Sequence, residues 1–428
     1  MTSIHLLVII PGLWGIPDHV AELERTIHEN YATGGPGGVE LRVHVAKSNC
    51  EESTVDGVDW GGERVTREVL HKVAALEESG NSKITKFSIT GYSLGGLIAR
   101  YVIGILHQRQ FFENIVPVNF NTIATPHIGL PRYSTLISSL VASLGPKLLS
   151  RTGEQLFCVD QWSPSGRSLI EVMADPDRVF YQGLSKFQYL RIYANAINDT
   201  VVPYVTSAID VVDPFAARWT NGIEIEISEE YSPLIKNYTL PPVPPTPPNK
   251  TALSPGWFRN RAPTIPFLPP TLHVRFPLNI GVYTLLPILA PLGISVTLVY
   301  LVFAARSSRA RIRLLESDEA GEQTLIRILA DLERNVETTV ADLVDGADPG
   351  PTLRPSNKSK VSPEQPILTP LQQNVAMSLN KLPFKKERAY IENVQNSHAV
   401  ILCRDLKRFD AHKMGAGILR HWAASFVL

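Results

Sequence analysis

Short apolar segments alternate with stretches of helical periodicity over the first 240 residues. The apolar segments at 4–10, 41–46, 83–89, 115–123 and 188–196 have the length and the bounding residues of buried strands. Helical spacing of apolar residues is seen at 59–76 and at 94–106. This alternation is typical of βαβ units and predicts a mostly parallel sheet.

A further helical pattern at 133–149 lies between the last two predicted strands. We expect it to form an insertion that acts as a cap over an active site, with apolar side chains available to pack or to face a substrate. These side chains are Leu136, Ile137, Leu140, Val141 and Leu144.

The pattern changes after residue 240, which divides the chain into a core at 1–240 and further segments. A proline-rich linker at 241–275 is followed by 276–305, a segment without any charged residue. A basic and amphipathic helix is predicted at 306–346 and disorder at 347–372. The segment 373–428 is expected to rejoin the core, with a strand at 388–394 and mixed helix and strand at 398–428.

Composition excludes some classes of function. Lys plus Arg and Asp plus Glu both number 41, so no field of one sign attracts nucleic acid. Cys50, Cys158 and Cys403 lack the spacing of a metal site or of a disulfide framework, which favours a reducing compartment. The first residues have no basic region before a short apolar run, so we expect no signal peptide and a location on the cytosolic side.

The strongest chemical signal is Gly-Tyr-Ser-Leu-Gly-Gly at 91–96, between a predicted strand and a predicted helix. This is the context of a nucleophile elbow, in which a serine occupies a strained turn and small flanking residues allow the backbone to approach closely. Ser93 is therefore the predicted nucleophile, and the α/β-hydrolase fold is the predicted fold.

A serine nucleophile needs a base and an acid that orients the base. In this fold the acid follows a late strand and the histidine comes last. Asp199 lies in the turn after the strand at 188–196 and is the predicted acid, with Asp210 and Asp213 as alternatives.

Four histidines follow Asp199: His273, His398, His412 and His421. His273 lies in the proline-rich linker, which cannot hold a base in place. His398 follows the strand predicted at 388–394 and is the preferred base, with His412 as an alternative.

Two backbone amides are expected to form the oxyanion hole. One belongs to Leu94, directly after the serine, and the other to Leu13, in the Pro-Gly-Leu-Trp-Gly loop that follows the first strand. His127, in Thr-Pro-His-Ile-Gly, precedes the acid in sequence and is interpreted as part of a structural or pocket-lining turn.

Six strings taken together resemble the DUF676 putative serine esterases, in particular fungal lipid-droplet phospholipases: PGLWGIPDHV, DGVDWGGERV, GYSLGGLIARY, ATPHIG, NDTVVPY and SHAVIL. The resemblance implies Ser93, Asp199 and His398 as the triad and glycerophospholipids or neutral acyl esters as substrates. The family usually has a histidine where Pro11 stands. Since the oxyanion donor is an amide further along the loop, we expect activity to be retained.

The expected reaction is therefore hydrolysis of lipid acyl esters without cofactor or metal. The alternatives are a soluble carboxylesterase or thioesterase, or a lipid-surface scaffold that has lost turnover.

The uncharged segment 276–305 separates the predicted acid from the predicted base. A single membrane crossing there would place Asp199 and His398 on opposite sides. Two full spans need more residues than are present. With Pro287 and Pro291 as candidate bends, we expect a hairpin or in-plane anchor on a lipid droplet or on the cytosolic face of the endoplasmic reticulum.

Overall fold

The computed structural model describes residues 2–31, 38–78, 80–243, 245, 278–317 and 365–428. Within them a parallel sheet of six strands has the order β2-β1-β3-β4-β5-β8. Its strands are β1 (Thr2–Ile10), β2 (Glu40–Val45), β3 (Ser82–Tyr92), β4 (Val116–Ile123), β5 (Tyr189–Asn195) and β8 (Lys385–Ala389). A separate antiparallel pair consists of β6 (Glu224–Ile227) and β7 (Ile235–Thr239).

Helices connect the strands and cover the sheet. They are α1 (Ala21–Asn30), α2 (Val58–Glu77), α3 (Leu94–Gln108), α4 (Leu136–Leu148), α5 (Ser150–Leu156), α6 (Leu169–Met173), α7 (Val179–Ser185), α8 (Tyr204–Ser207), α9 (Leu278–Ser317), α10 (Pro370–Leu379) and α11 (Ala416–Ala424). Short 3₁₀ helices include Glu51–Val55, Val400–Leu402 and Asp410–Gly415.

Both faces of the sheet are buried, as its continuous apolar strands require. Alternate residues of β1 point to opposite sides. Leu6 and Val8 join a core with α2 and α3, whereas Leu7 and Ile9 join a second core with α1 and α11. Because all six strands are parallel, their carboxyl ends meet at one edge, where an open α/β sheet normally carries its site.

Most predicted elements of the first 240 residues are present within a few residues of their predicted bounds. The later part differs in three places. The strand predicted at 388–394 is β8 at Lys385–Ala389. The segment 398–428 contains helices and no strand. Residues 365–372, predicted to be disordered, include the start of α10, which Thr369 caps by accepting from the amide of Gln372.

Helix α9 is one continuous helix through Pro287 and Pro291. The chain thus stays helical at both prolines, where the sequence predicts a bend between two arms. Residues 306–317 of the predicted basic helix belong to α9. The remainder of that helix, most of the predicted linker, His273 and the predicted disorder up to 364 lie outside the described residues.

Helix α9 has two parts. In the exposed segment, which we define as residues 285–303, the apolar side chains described include Leu285, Ile288, Leu292 and Phe303, and all four are exposed. In the docked segment, defined as residues 304–316, a buried face with helical spacing is formed by Ala304, Ala305, Ser308 and Ile312. The docked segment packs against α4, α5 and the 3₁₀ helix Glu51–Val55. Residues 287–316 are long and apolar enough to cross a membrane.

Candidate active site

Ser93 lies in the sharp turn between β3 and α3. Its backbone has a φ of 54° and a ψ of −125°, a conformation that is rare for residues other than glycine. A nucleophile elbow requires such a strained turn. The glycines around it are needed for close packing. A Cβ on Gly91 would lie 2.4 Å from the Cα of Gly96, and a Cβ on Gly95 would lie 2.3 Å from the carbonyl oxygen of Ile10.

The structure brings the three predicted triad residues together at the carboxyl ends of β3, β5 and β8. The Nε2 atom of His398 lies 3.0 Å from Ser93 Oγ, and its Nδ1 atom lies 2.9 Å from Asp199 Oδ2. Ser93 and His398 are each 7 % exposed, and the side chain of Asp199 is 2 % exposed. The serine is thus linked through the imidazole to a carboxylate that is almost entirely shielded from water.

The carboxylate of Asp199 is fixed by several further hydrogen bonds. Its Oδ1 atom accepts from the amides of Val201 and Val202, and its Oδ2 atom accepts from the side-chain amide of Asn195 at 2.8 Å. Asn195 was not among the predicted site residues. Its position at the end of β5, four residues before Asp199, is the signal that would have found it.

The loop that carries His398 is held against the loop that carries Asp199. The amide of Ser397 donates to the carbonyl of Asn198, and the hydroxyl of Ser397 donates to the carbonyl of Ile197. On the other side, the hydroxyl of Tyr92 donates to the carbonyl of His398, and the two rings lie 5.2 Å apart. Burial raises the pKa of Tyr92, so its hydroxyl keeps this proton.

The predicted oxyanion loop lies directly beside the serine. A Cβ on Gly12 would be 2.8 Å from the Cβ of Ser93, so the backbone before Leu13 touches the elbow. The amide of Leu94 opens α3, where helix amides lack an intrahelical acceptor. Trp14 has a φ of 48°, and its amide donates to Thr54 Oγ1. Both predicted donors therefore lie on backbone adjacent to Ser93.

The alternative acids and base make other interactions. Asp210 accepts from Tyr204 and pairs with Lys386 at 2.6 Å, whereas Asp213 accepts from the amides of Phe215 and Ala216. His412 accepts from the amide of Asp405. These contacts explain each of the three as a structural residue.

His127 is fully buried and lies outside the Ser93–His398–Asp199 series. Its Nε2 atom lies 2.8 Å from Thr122 Oγ1, and its carbonyl accepts from Arg100. Burial, followed by the charge of Arg100, holds the pKa of His127 well below its usual range, so the ring stays neutral. The structural interpretation of its turn agrees with these contacts.

The described part of the chain has no cluster of His, Cys, Asp and Glu that would hold a metal ion. The site joins a serine hydroxyl, an imidazole and a buried carboxylate in one hydrogen-bonded series beside two backbone amides, an arrangement that suits acyl transfer to serine. A mostly parallel sheet with this strand-to-helix turn places the protein in the α/β-hydrolase class.

Residues 1–209 match the family model described as "Putative serine esterase (DUF676)". It is 32 % identical over 162 residues to "Putative lipase C4A8.10" of Schizosaccharomyces pombe, covering 37 % of this chain and 20 % of that protein. It is 29 % identical over 260 residues to "Putative lipase ROG1" of Saccharomyces cerevisiae, covering 54 % of this chain and 35 % of that protein. The chain thus spans about a fifth to a third of the length of these curated relatives.

Similar solved structures include the phospholipase PlaB from Legionella pneumophila in complex with thio-NAD, with a TM-score of 0.28, 13 % identity, and coverage of 47 % of this chain and 40 % of that one. The peroxisomal α/β-hydrolase Lpx1 from Saccharomyces cerevisiae has a TM-score of 0.21, 16 % identity, and coverage of 34 % and 40 %. Because both TM-scores are low, the assignment to the α/β-hydrolase class rests on the parallel sheet and on the turn at Ser93.

Proposed function

We propose that this protein is a serine hydrolase that cleaves acyl esters of lipids, with Ser93 as nucleophile, His398 as general base and Asp199 as the acid. The observation that carries the proposal is the hydrogen-bonded series from Asp199 through His398 to Ser93, with distances of 2.9 and 3.0 Å. The three residues are far apart in sequence, and such convergence is the geometric criterion for a triad.

The mechanism follows from this geometry. His398 Nε2 takes the proton of Ser93 Oγ as this oxygen attacks the ester carbonyl carbon, and the amides of Leu94 and Leu13 stabilise the oxyanion that develops. His398 then returns the proton to the departing alcohol, which leaves an acyl-enzyme. Water, deprotonated by the same imidazole, releases the fatty acid. Asp199 stabilises the imidazolium formed in both steps.

Two exposed apolar surfaces support a lipid substrate. One is the exposed segment of α9, and the other is the face of α4, whose described side chains include Leu136 at 90 % exposure. Exposed patches of this kind indicate binding to a membrane or to a protein partner. The family relatives named as lipases favour the membrane. Glycerophospholipid is the substrate class that we propose, with neutral acyl esters as the second candidate.

The residues that lead into helix α4 lie within electrostatic range of Asp199. Tyr133, three residues before it, has a pKa raised to about 12 by burial, by the charge of Asp213 and by that of Asp199. The charge of Asp199 therefore acts on Tyr133, just before the exposed apolar face of α4 begins. A lipid surface bound to α4 would lie near the residues that cleave the ester.

For the membrane contact, we propose a shallow anchor in which the exposed segment of α9 lies in one leaflet of a lipid droplet or of the cytosolic face of the endoplasmic reticulum. A full crossing by α9 would require residues 244–277 to cross back, and these contain Lys250, Arg259, Arg261 and Arg275. Arg306, Arg309 and Arg313, at the boundary of the apolar part, would contact headgroups at about 1 kcal/mol each on an anionic surface.

Product analysis tests the proposed function. The intact protein and its Ser93→Ala variant are incubated with mixed phospholipid and neutral-lipid vesicles, and released fatty acids and lysolipids are quantified. The proposal expects fatty acid release by the intact protein only. Absence of lipid products together with turnover of a soluble ester or thioester would favour the soluble hydrolase. Absence of all turnover and of labelling by a fluorophosphonate would favour a scaffold.

A further inference from the structure

The docked segment of α9 is held by charged and polar contacts in addition to apolar packing. Arg311 forms a two-pronged ion pair with Asp56, with Nη2 to Oδ1 at 2.7 Å and Nε to Oδ2 at 3.2 Å. The side chain of Asp56 is fully buried. Arg311 also donates to the carbonyl of Glu52, and the buried hydroxyl of Ser308 donates to the carbonyl of Val55. The helix is thus attached to residues 51–56 at several points.

The same residues 51–56 hold the oxyanion loop from the other side. The amide of Trp14 donates to Thr54 Oγ1 at 2.9 Å, and the amide of Glu51 donates to the carbonyl of Gly15 at 3.0 Å. Trp14 is the residue directly after Leu13, and its left-handed φ of 48° is kept only where surrounding contacts hold it. Any shift of residues 51–56 therefore changes the position of the loop next to Ser93.

These two sets of contacts connect α9 with the oxyanion loop through one short segment. We infer that the docked segment of α9 positions the oxyanion hole, and that Arg311 is a positioning residue for the reaction although it belongs to the helix proposed as the lipid anchor. This inference rests on the proposed serine hydrolase function. It assigns to α9 a role in turnover that is separate from membrane attachment.

The physical argument is that oxyanion stabilisation depends on geometry. A backbone amide acts on the developing charge only when it is already placed at hydrogen-bonding distance, and a displacement of about 1 Å costs about 100-fold in rate. Without Arg311, the charged partner that the buried Asp56 keeps among the described residues would be Arg64, at 2.6 Å. Residues 51–56 would then be attached to the body of the protein with fewer contacts, and the oxyanion loop would lose its fixed support.

The test uses a soluble short-chain ester, so that membrane binding does not enter. For Arg311→Ala in the full chain, we expect a 10- to 100-fold fall in kcat with little change in KM. The pH profile should keep its midpoint, because His398 and Asp199 are not displaced. Arg311→Lys should recover part of the loss. Arg408→Ala removes an arginine that is 81 % exposed and lies outside α9; it is the control and should resemble the parent protein.

A second pair of variants addresses the opposite end of the connection. Thr54→Ala removes the oxygen that accepts from Trp14, whereas Thr54→Ser keeps it. We expect kcat and the rate of fluorophosphonate labelling to fall together in Thr54→Ala and to recover in Thr54→Ser. If Arg311→Ala does not fold, this pair still tests whether residues 51–56 support the oxyanion loop.

The parent protein and Ser93→Ala are measured in parallel. No turnover and no labelling in the parent would refute the proposed function itself. An active parent with Arg311→Ala and Thr54→Ala equal to it would refute the positioning role alone. A loss confined to lipid substrates would also refute it, because it would show that Arg311 serves only membrane binding.

Discussion

At the scale of single residues, the site concentrates backbone conformations that cost free energy. Ser93 and Trp14 both have positive φ, and Asn198, next to Asp199, has a φ of 62°. Such residues cost on the order of 1–3 kcal/mol each and persist where the surroundings hold them. Each of them lies in a loop at the carboxyl end of a strand. These strained residues therefore lower the free energy of unfolding, and they do so at the edge of the sheet where Ser93, Asp199 and His398 meet.

The first prediction concerns Ser93 and His398. Ser93→Ala and His398→Ala should each reduce hydrolysis of a soluble ester and of a lipid by several orders of magnitude, because triad members act as a unit. Steady-state kinetics and circular dichroism would measure activity and fold. His412→Ala is the control, since His412 accepts from the amide of Asp405. Full activity in His398→Ala with loss in His412→Ala would reverse the assignment of the base.

The second prediction concerns Asp199. Asp199→Asn removes the charge that stabilises the His398 imidazolium, and we expect kcat to fall by roughly 10⁴. Asp210→Asn should be mild in its effect on kcat, because Asp210 pairs with Lys386 outside the series. Steady-state measurement of kcat for both variants and the parent protein tests this assignment of the acid. The same kcat for Asp199→Asn and the parent protein would exclude Asp199 as the acid.

The third prediction concerns pH and Asp160, which lies near α9. Burial raises the pKa of this carboxyl to about 6, and its buried Oδ1 atom has no hydrogen-bond partner among the residues that the structure describes. Because the folded-state pKa exceeds the unfolded value, ionising Asp160 disfavours the folded state. The free energy of unfolding should therefore decrease as pH rises from about 4 through 6.

Asp160→Asn should remove this penalty. We expect a higher Tm than the parent protein at pH 7.5, by a few degrees, which corresponds to on the order of 1 kcal/mol. At pH 4 the two proteins should melt together. An equal Tm difference at both pH values would assign the effect to packing and not to charge.

At the scale of elements, helix α4 presents an apolar face to solvent. Replacing these exposed side chains by serine should weaken binding to phospholipid vesicles. Each aliphatic side chain that becomes buried in lipid contributes roughly 1.5–3 kcal/mol. The four positions are Leu136, Ile137, Leu140 and Val141. Vesicle flotation measures binding. Val212→Ser removes an exposed apolar side chain outside α4 and α9 and is the control. Unchanged flotation of the α4 variant would show that this face does not contact lipid.

Elements with a regular apolar pattern were predictable from the sequence. The strands at 4–10 and 83–89 and the elbow between β3 and α3 depend on local periodicity and on glycine, which neighbouring residues reveal. The strand β8 was harder, because Lys385–Ala389 is mostly charged and is a strand through its pairing with β5. Its pattern resembles an exposed loop, and tertiary context overrides the pattern.

The continuity of α9 through two prolines and its docking were not predictable from local pattern either. The two prolines favour a bend, yet the helix continues through both. Its ion pair joins Arg311 to Asp56, which lies 255 residues earlier in the chain. Nothing in the sequence around either residue identifies its partner. The support of the oxyanion loop by residues 51–56 was missed for the same reason.

At the scale of the whole molecule, the proposed anchor and the docked segment occupy different parts of α9, so the two proposed roles of this helix can be tested separately. Deleting residues 285–303 should release the protein from lipid droplets into the cytosol and spare hydrolysis of a soluble ester, because the buried Ala304 and Ala305 are retained. Fluorescence microscopy and ester kinetics would measure both. Droplet association that persists after the deletion would contradict the anchor. So would lumenal glycosylation of a reporter site placed after residue 313.

The separation between Ser93 and His398, 305 residues along the chain, has a consequence for biosynthesis. At about 5–20 residues per second, roughly 15–60 s pass between translation of the nucleophile and translation of its base. During that interval the apolar part of α9 leaves the ribosome. With the anchor and the triad proposed above, a nascent chain would reach a lipid surface before its serine can react. Ribosome-bound chains stalled before residue 398 should not react with a fluorophosphonate, whereas released full-length chains should.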